Sequence, residues 1–468
     1  MTGTNKVVMN AVMERFVERS PLTVMARLAL ERALQAEWVD ALFEAHRQRQ
    51  YTRELLFSTV IDLMSLVVLG LQPSLHAAAQ ASEALSVSLP ALYDKVKRIE
   101  PGVVRALVQG SAERLGPVQA QLRAAVPRWA PGFRVRIVDG NHLPGSEKRL
   151  GPLRGFRGAA LPGQTLVVYD PDQEQVVDVV PCEDAHSQEK TLMPAILEKA
   201  EAGDLWLADR QFCTRSIVAA LHAREAAFIL RESAAHPQPR ELAPLRQIGR
   251  VETGMVAEQA VDIPLPTGAR LGLRRIEIVL DEPTEDGETR IRLLTNVPPE
   301  RLPATNIARL YRGRWRIEGL FQRLEAVLHS EVRTLGYPRA ALLAFCVAVV
   351  AYNVLAVLQA AAETHPAVAA EGIELSPYYV AHAATGAYEG MLVALPPPVW
   401  TRFAELPPQE LAQTLRAIAA HLVPRRLRKH PRAPKKTKPK PGYAPRAEVQ
   451  RHVSTARVLR DGGIRPRS

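Results

Sequence analysis

The apolar residues change their period at Arg134, and this change constrains the fold of the 468-residue chain more than any other feature. Before it, apolar positions recur at helical spacing, as in 24–43 and 55–71. After it, RVRIVDG alternates as a strand does; QTLVVYD and EQVVDVV follow, with Pro171 and Asp172 marking a hairpin turn between them. HSQEKTLMPAILEKAEAG reads as a helix ending at Gly203, DLWLADR as a fourth strand, SIVAALHARE as a helix and AAFILRE as a fifth strand. The order β-β-β-α-β-α-β predicts a mixed α/β core.

From about 235 to 300 the chain is strand-like again, with turns at PTG and PTEDG, and reads as a β-rich insertion. Helix returns at Thr305 and includes ARLYRGRWRIEGLFQRLEAVLH. The apolar stretch 340–362 is long enough to span a bilayer, but it is alanine-rich and carries Asn353 and Gln359, which favours a buried core helix. A further helix is expected over 401–422. The boundaries that follow are a helical N-terminal region 1–128, an α/β region 129–362, a helical C-terminal region 363–423 and a basic tail 424–468.

The formal net charge is +11 and the pI near 9.7, a balance that suggests an anionic partner. Ten lysines or arginines, six prolines and no acid fall within 424–446. Such a run cannot bury itself and is suited to non-specific phosphate contacts. In the N-terminal region, PSLHAAAQASEAL and LPALYDKVKRI, joined by SVS, form a candidate helix-turn-helix. Ser88 serves as N-cap, Pro90 lies early in the second helix, and Lys95, Lys97 and Arg98 end it as candidate DNA contacts. A plain helical hairpin satisfies the same pattern. Cys182, Cys213 and Cys346 form no CxxC pair, and the N-terminus lacks the apolar core of a signal peptide, so a cytoplasmic, nucleoid-associated location is expected and no membrane partner.

Acids end two of the strands. Asp139 precedes Gly140 at the end of the first, and Asp209 precedes Arg210 at the end of the fourth. If these strands are neighbours, the two carboxylates meet at one edge of the sheet, and a cation is needed between them. Oxygen ligands without His or Cys suit Mg2+, or alternatively Mn2+. A third acid, Glu318, lies on the next long helix, where Tyr311, Arg314 and Glu318 are expected to share one face. Alone, that stripe reads first as a surface helix with an i, i+4 ion pair.

With both aspartate contexts, IVDGNHL and LADRQFCT, the Tyr-x2-Arg-x3-Glu element resembles the DDE transposases of bacterial insertion sequences, in the branch with a Tyr-Arg-Glu-Lys signature. The resemblance covers about residues 130–362. It implies an RNase H-like catalytic core with a β-rich insertion, flanked by helical regions. It also implies a Mg2+-dependent enzyme in which Asp139 bridges two metal ions, each completed by Asp209 or Glu318. Arg314 and Tyr311 would hold DNA phosphate; Arg210, Trp315 and His142 are further candidate DNA contacts. The implied reaction cuts transposon ends, passes through a hairpin and joins the 3′-OH to target DNA. The implied partners are double-stranded DNA, as terminal inverted repeats and target, and a second copy of the chain. The fourth signature position, lysine in the family, is Glu325 here. That substitution keeps open a domesticated DNA-binding protein that no longer cuts, and the fold alone also admits a structure-specific metal nuclease.

Overall fold

The sheet begins where the period changes. The computed structural model describes residues 11–50, 52, 54–82, 85–233, 237–284, 287–430 and 452–461. Its strands are β1 (Arg134–His142), β2 (Ala159–Leu161), β3 (Gln164–Asp170), β4 (Gln175–Cys182), β5 (Asp204–Ala208), β6 (Ala227–Arg231), β7 (Arg240–Glu241), β8 (Arg246–Val251), β9 (Gly254–Pro264), β10 (Arg270–Leu280), β11 (Arg290–Thr295) and β12 (His452–Ser454). All but β2 and β12 join one sheet, in the order β4-β3-β1-β5-β6-β11-β10-β9-β7, with β8 also on β9. The pairs β1–β5 and β5–β6 are parallel and the remainder of this sheet antiparallel. This mixed α/β sheet is the RNase H-like core that the sequence implied.

Alternation along β1 assigns its two faces. Val135 and Ile137 enter one apolar cluster, covered by the helices Pro101–Leu122 and Pro338–Glu363. Val138 enters a second, covered by Met193–Leu197 and Arg215–Ala223. With both faces covered, all seven residues of β3 are buried, as in a strand read from a continuous apolar run.

The helix Pro338–Glu363 is long and apolar enough to cross a membrane, and 94% of its most apolar window is buried within the fold. An apolar surface on all sides is what a helix buried on all sides needs. The amide of Asn353, buried within it, bonds to the neighbouring strand. Its Nδ2 donates to the Val176 carbonyl at 2.8 Å, and its Oδ1 accepts from the Val176 N–H at 2.8 Å. β4 is the edge of the sheet, so this amide satisfies backbone groups that would otherwise be buried unpaired.

The β-rich stretch expected after Arg231 is present as β7–β11, and it continues the sheet, since β11 pairs with β6. Three expectations are corrected. The helix expected over 186–203 is a 3-10 turn, Glu189–Thr191, and a short helix, Met193–Leu197, because Pro194 belongs in a first turn. The helix expected over 401–422 is two, Pro398–Ala404 and Pro408–Ala419, divided at Pro407 and Pro408. The long helix after Thr305 is also two, Ala304–Gly313 and Arg316–Val327. In the N-terminal region the expected helix pair is present as Leu75–Ala81 and Leu89–Val96, and Ser88 accepts from the Ala91 N–H. From residue 431 the basic run lies outside the described residues up to 451.

Candidate active site at the strand ends

The ladder between β1 and β5 ends at Val138 paired with Ala208. The next residues are Asp139 and Asp209, so the two acids stand side by side where the parallel pair opens, at a strand spacing of about 4.8 Å. β1 itself runs on to His142 against β3, which places Asp139 within the strand and not at its end. By the two-residue period, Asp139 and Asp209 share the face of Ile137 and Leu207. The helix pair bearing Tyr311, Arg314 and Glu318 covers that face.

The break in this helix pair shapes the site. At Gly313, an added Cβ would stand 2.6 Å from ring atoms of Trp129, so only glycine admits the tryptophan. The Arg314 N–H then donates to the Tyr311 carbonyl and the Glu318 N–H to the Trp315 carbonyl, at 2.9 and 3.1 Å, each a three-residue step. Such tightening re-aims the side chains at the junction. Arg314 becomes 5% exposed; its Nη1 donates to Asp139 Oδ2 at 2.8 Å, and its Nη2 lies 3.5 Å from Glu318 Oε1. Arg314, expected on DNA phosphate, is therefore the cation among the acids. Tyr311 is buried beside it, its ring centre 5.8 Å from the guanidinium carbon, and burial raises its phenol above the usual range.

Electrostatics at the strand ends are strained. Burial raises the Asp139 carboxyl; Arg314 and the Gly140 N–H, 3.0 Å from Oδ1, oppose this, while Asp209 adds to it. Asp209 Oδ1 is buried without a hydrogen-bond partner, with the Arg231 guanidinium 3.8 Å away. Glu318 is 53% exposed on its side chain, with Arg314 as its ion-pair partner. Among the described residues, no three His, Cys, Asp or Glu side chains enclose a single point as they lie. The donor set nonetheless fits a hard divalent cation: all-oxygen ligands, one of them orphaned, with a third acid on the helix that covers this face.

Several candidates lie elsewhere than expected. His142 ends β1 exposed and, three residues from Asp139, faces the opposite side of the sheet. Trp315 is 57% exposed beside the acids. Arg210 Nη1 donates to Glu288 Oε1 at 3.0 Å, and Glu288, from the turn between β10 and β11, also pairs with Arg231. Lys95, Lys97 and Arg98 are remote from this centre in sequence and have partners of their own. The Lys95 ammonium lies 4.3 Å from the Phe43 ring centre, and burial lowers its pKa. Lys97 and Arg98 pair with Asp94 at 2.7 and 3.0 Å. Glu325 is exposed, and Arg323 turns inwards to the Tyr352 hydroxyl.

Sequence reading missed three residues near the acids: Arg231, Glu288 and Glu189. Arg231 lies near the end of the fifth predicted strand as Arg210 ends the fourth, and that parallel was a usable signal. Glu288 had none, since only the sheet pairing brings its turn here. Burial raises the Glu189 carboxyl, and the charges of Asp139 and Asp209 raise it further.

Residues 130–354 match the protein family described as Transposase DDE domain. A putative transposase, y4zB, of Sinorhizobium fredii is 28% identical over 237 residues, a match covering 48% of this chain and 59% of that protein.

Proposed function

We propose, from the premise that this chain belongs through residues 130–354 to the DDE-type transposases of insertion sequences, that it cleaves transposon ends and joins their 3′-OH to target DNA. The observation that carries this reading is the adjacency of Asp139 and Asp209 where β1 and β5 separate. In this reading Asp139, Asp209 and Glu318 hold two Mg2+ ions, with Mn2+ as a substitute. The bound cations supply Lewis acidity: they lower the pKa of water or a 3′-hydroxyl and offset charge at phosphorus.

The chain's own residues supply placement. Arg314 opposes the effect of burial on the Asp139 carboxyl and releases Glu318 when that side chain turns towards the aspartates. Arg210 and Arg231 lie where a phosphate would replace Glu288 as their partner. Trp315 offers an exposed ring for stacking on a sugar or base. Double-stranded DNA as terminal repeats and target, a pair of protomers holding two ends, a hairpin intermediate and a nucleoid-associated location belong to the same proposal. So do the division into regions 1–128, 129–362, 363–423 and 424–468, and DNA reading by the Leu75–Val96 helices.

The test uses the purified chain with a plasmid carrying the DNA that flanks its gene. Mg2+-dependent nicking at the ends, followed by 3′-OH joining, is expected; EDTA and Asp139→Asn should each abolish both. Cleavage that survives Asp139→Asn would remove the site assignment, and hydrolysis without joining would favour a nuclease. The exposed Glu325 supports a second reading, an end-binding protein impaired in cutting. Binding without nicking in wild type, with nicking restored by Glu325→Lys, would establish it.

A further inference from the structure

The geometry points to Glu189 as a fourth carboxylate of the divalent-cation site, reaching the strand ends from the sheet face opposite to that of Asp139. The inference rests on the reading above of this site as metal-dependent.

Gly140 reveals the placement. Its backbone is not among the left-handed conformations of the chain, so its φ does not call for glycine. Its missing side chain does have a reason. A Cβ at 140 would stand 2.7 Å from Cγ of Glu189 and closer still to Cδ and Oε1. The carboxylate of Glu189 thus occupies the space that any other residue after Asp139 would fill.

Local structure holds it there. Glu189 opens the turn Glu189–Thr191, which packs against the turn Arg210–Phe212 that follows Asp209. Glu189 is therefore fixed between the residue after one aspartate and the turn after the other.

A purely structural role does not account for this placement. Among the described residues, no hydrogen bond or ion pair engages the Glu189 carboxylate, and the guanidinium nearest the acids is spent on Asp139 and Glu318. A half-buried acid with no cationic partner, lodged beside Gly140 next to two other acids, is relieved when a cation joins them. A ligand held from the second face would let the cation bind before Glu318 turns, leaving Glu318 to respond to DNA.

The test is Mn2+ binding to the full chain without DNA, followed by the loss of the free-ion EPR signal, with thermal melting as a control for folding. Glu189→Gln should weaken Mn2+ binding by about tenfold or more. Gly140→Ala, whose methyl group evicts Glu189, should weaken it similarly, and the double variant should be no worse than either single one. Wild-type affinity in Glu189→Gln, with Asp209→Asn weakened, would overturn the role of Glu189 and leave the site reading standing. Wild-type affinity in Asp209→Asn would overturn the site reading, and this inference with it.

Discussion

Asp178 on β4 and Asp139 on β1 belong to one sheet, two positions apart in strand order, yet their surroundings treat them in opposite ways. Asp178 accepts two bonds from Arg105, at 2.9 and 2.7 Å, and one from Gln109 at 2.7 Å. Both partners come from the helix Pro101–Leu122, and among the described residues neither is bonded to another acid. Asp139 has one guanidinium, shared with Glu318, while Asp209 and Glu189 crowd the same place. The first arrangement is what fold stability asks of a buried charge. The second leaves acids short of positive charge, the pattern that marks a candidate binding site.

Variants at the two acids should therefore separate function from stability. The largest effect is expected for Asp139→Asn, which should cost about 4 kcal/mol of barrier, on the order of a thousandfold in end cleavage. Its melting temperature should change little, because relief of like-charge repulsion offsets the weaker partner left to Arg314. Arg105→Ala should do the reverse: a loss of about 3 kcal/mol in denaturant unfolding, with cleavage per folded molecule retained. Equal loss of activity in both variants would erase the distinction. Asn353→Leu extends the stability side, since it strands the Val176 N–H and carbonyl. It should cost about 2 kcal/mol in the same unfolding measurement, and no cost would mean that the edge of β4 relaxes or admits water. The smallest effect is expected for Glu325→Lys, which should tighten binding to end DNA by roughly a few-fold at low salt and less at high salt. Unchanged affinity would place position 325 away from the bound duplex.

The parts legible in the sequence share one property: their signals are local. Alternation in RVRIVDG and DLWLADR, with the acid that follows each run, was enough to place Asp139 and Asp209, and the parallel pairing of β1 with β5 fulfils the neighbour relation inferred from element order. Pro338–Glu363 was readable as a buried helix from its alanine content and from Asn353 and Gln359 within an apolar run. What was not legible depends on contacts distant in the chain. At the break before Arg314, Trp129 occupies the flank of Gly313, and a lone glycine in a helical pattern does not announce a tryptophan 184 positions earlier. Beside the same break Arg314 bonds to Asp139, a contact that its spacing from Glu318 does not announce. Lys95 read as surface charge because the sequence does not say that Phe43 lies beneath it. Glu189 stood within an ordinary polar string, HSQEK, and its meaning depends on a residue whose side chain is a single hydrogen.

The hydrogen-bonded join between β6 and β11 has a consequence for engineering. Leu293, Leu294 and Thr295 are laced to Arg231, Leu230 and Ile229, so residues 240–295 cannot be lifted out like a cassette. A graft from another protein would have to restore that register rung by rung, or the seam beside Asp209 would be left with a bare, adhesive border. Shortening the β9–β10 hairpin at its far tip, around Thr267 and Gly268, is the safer place to cut.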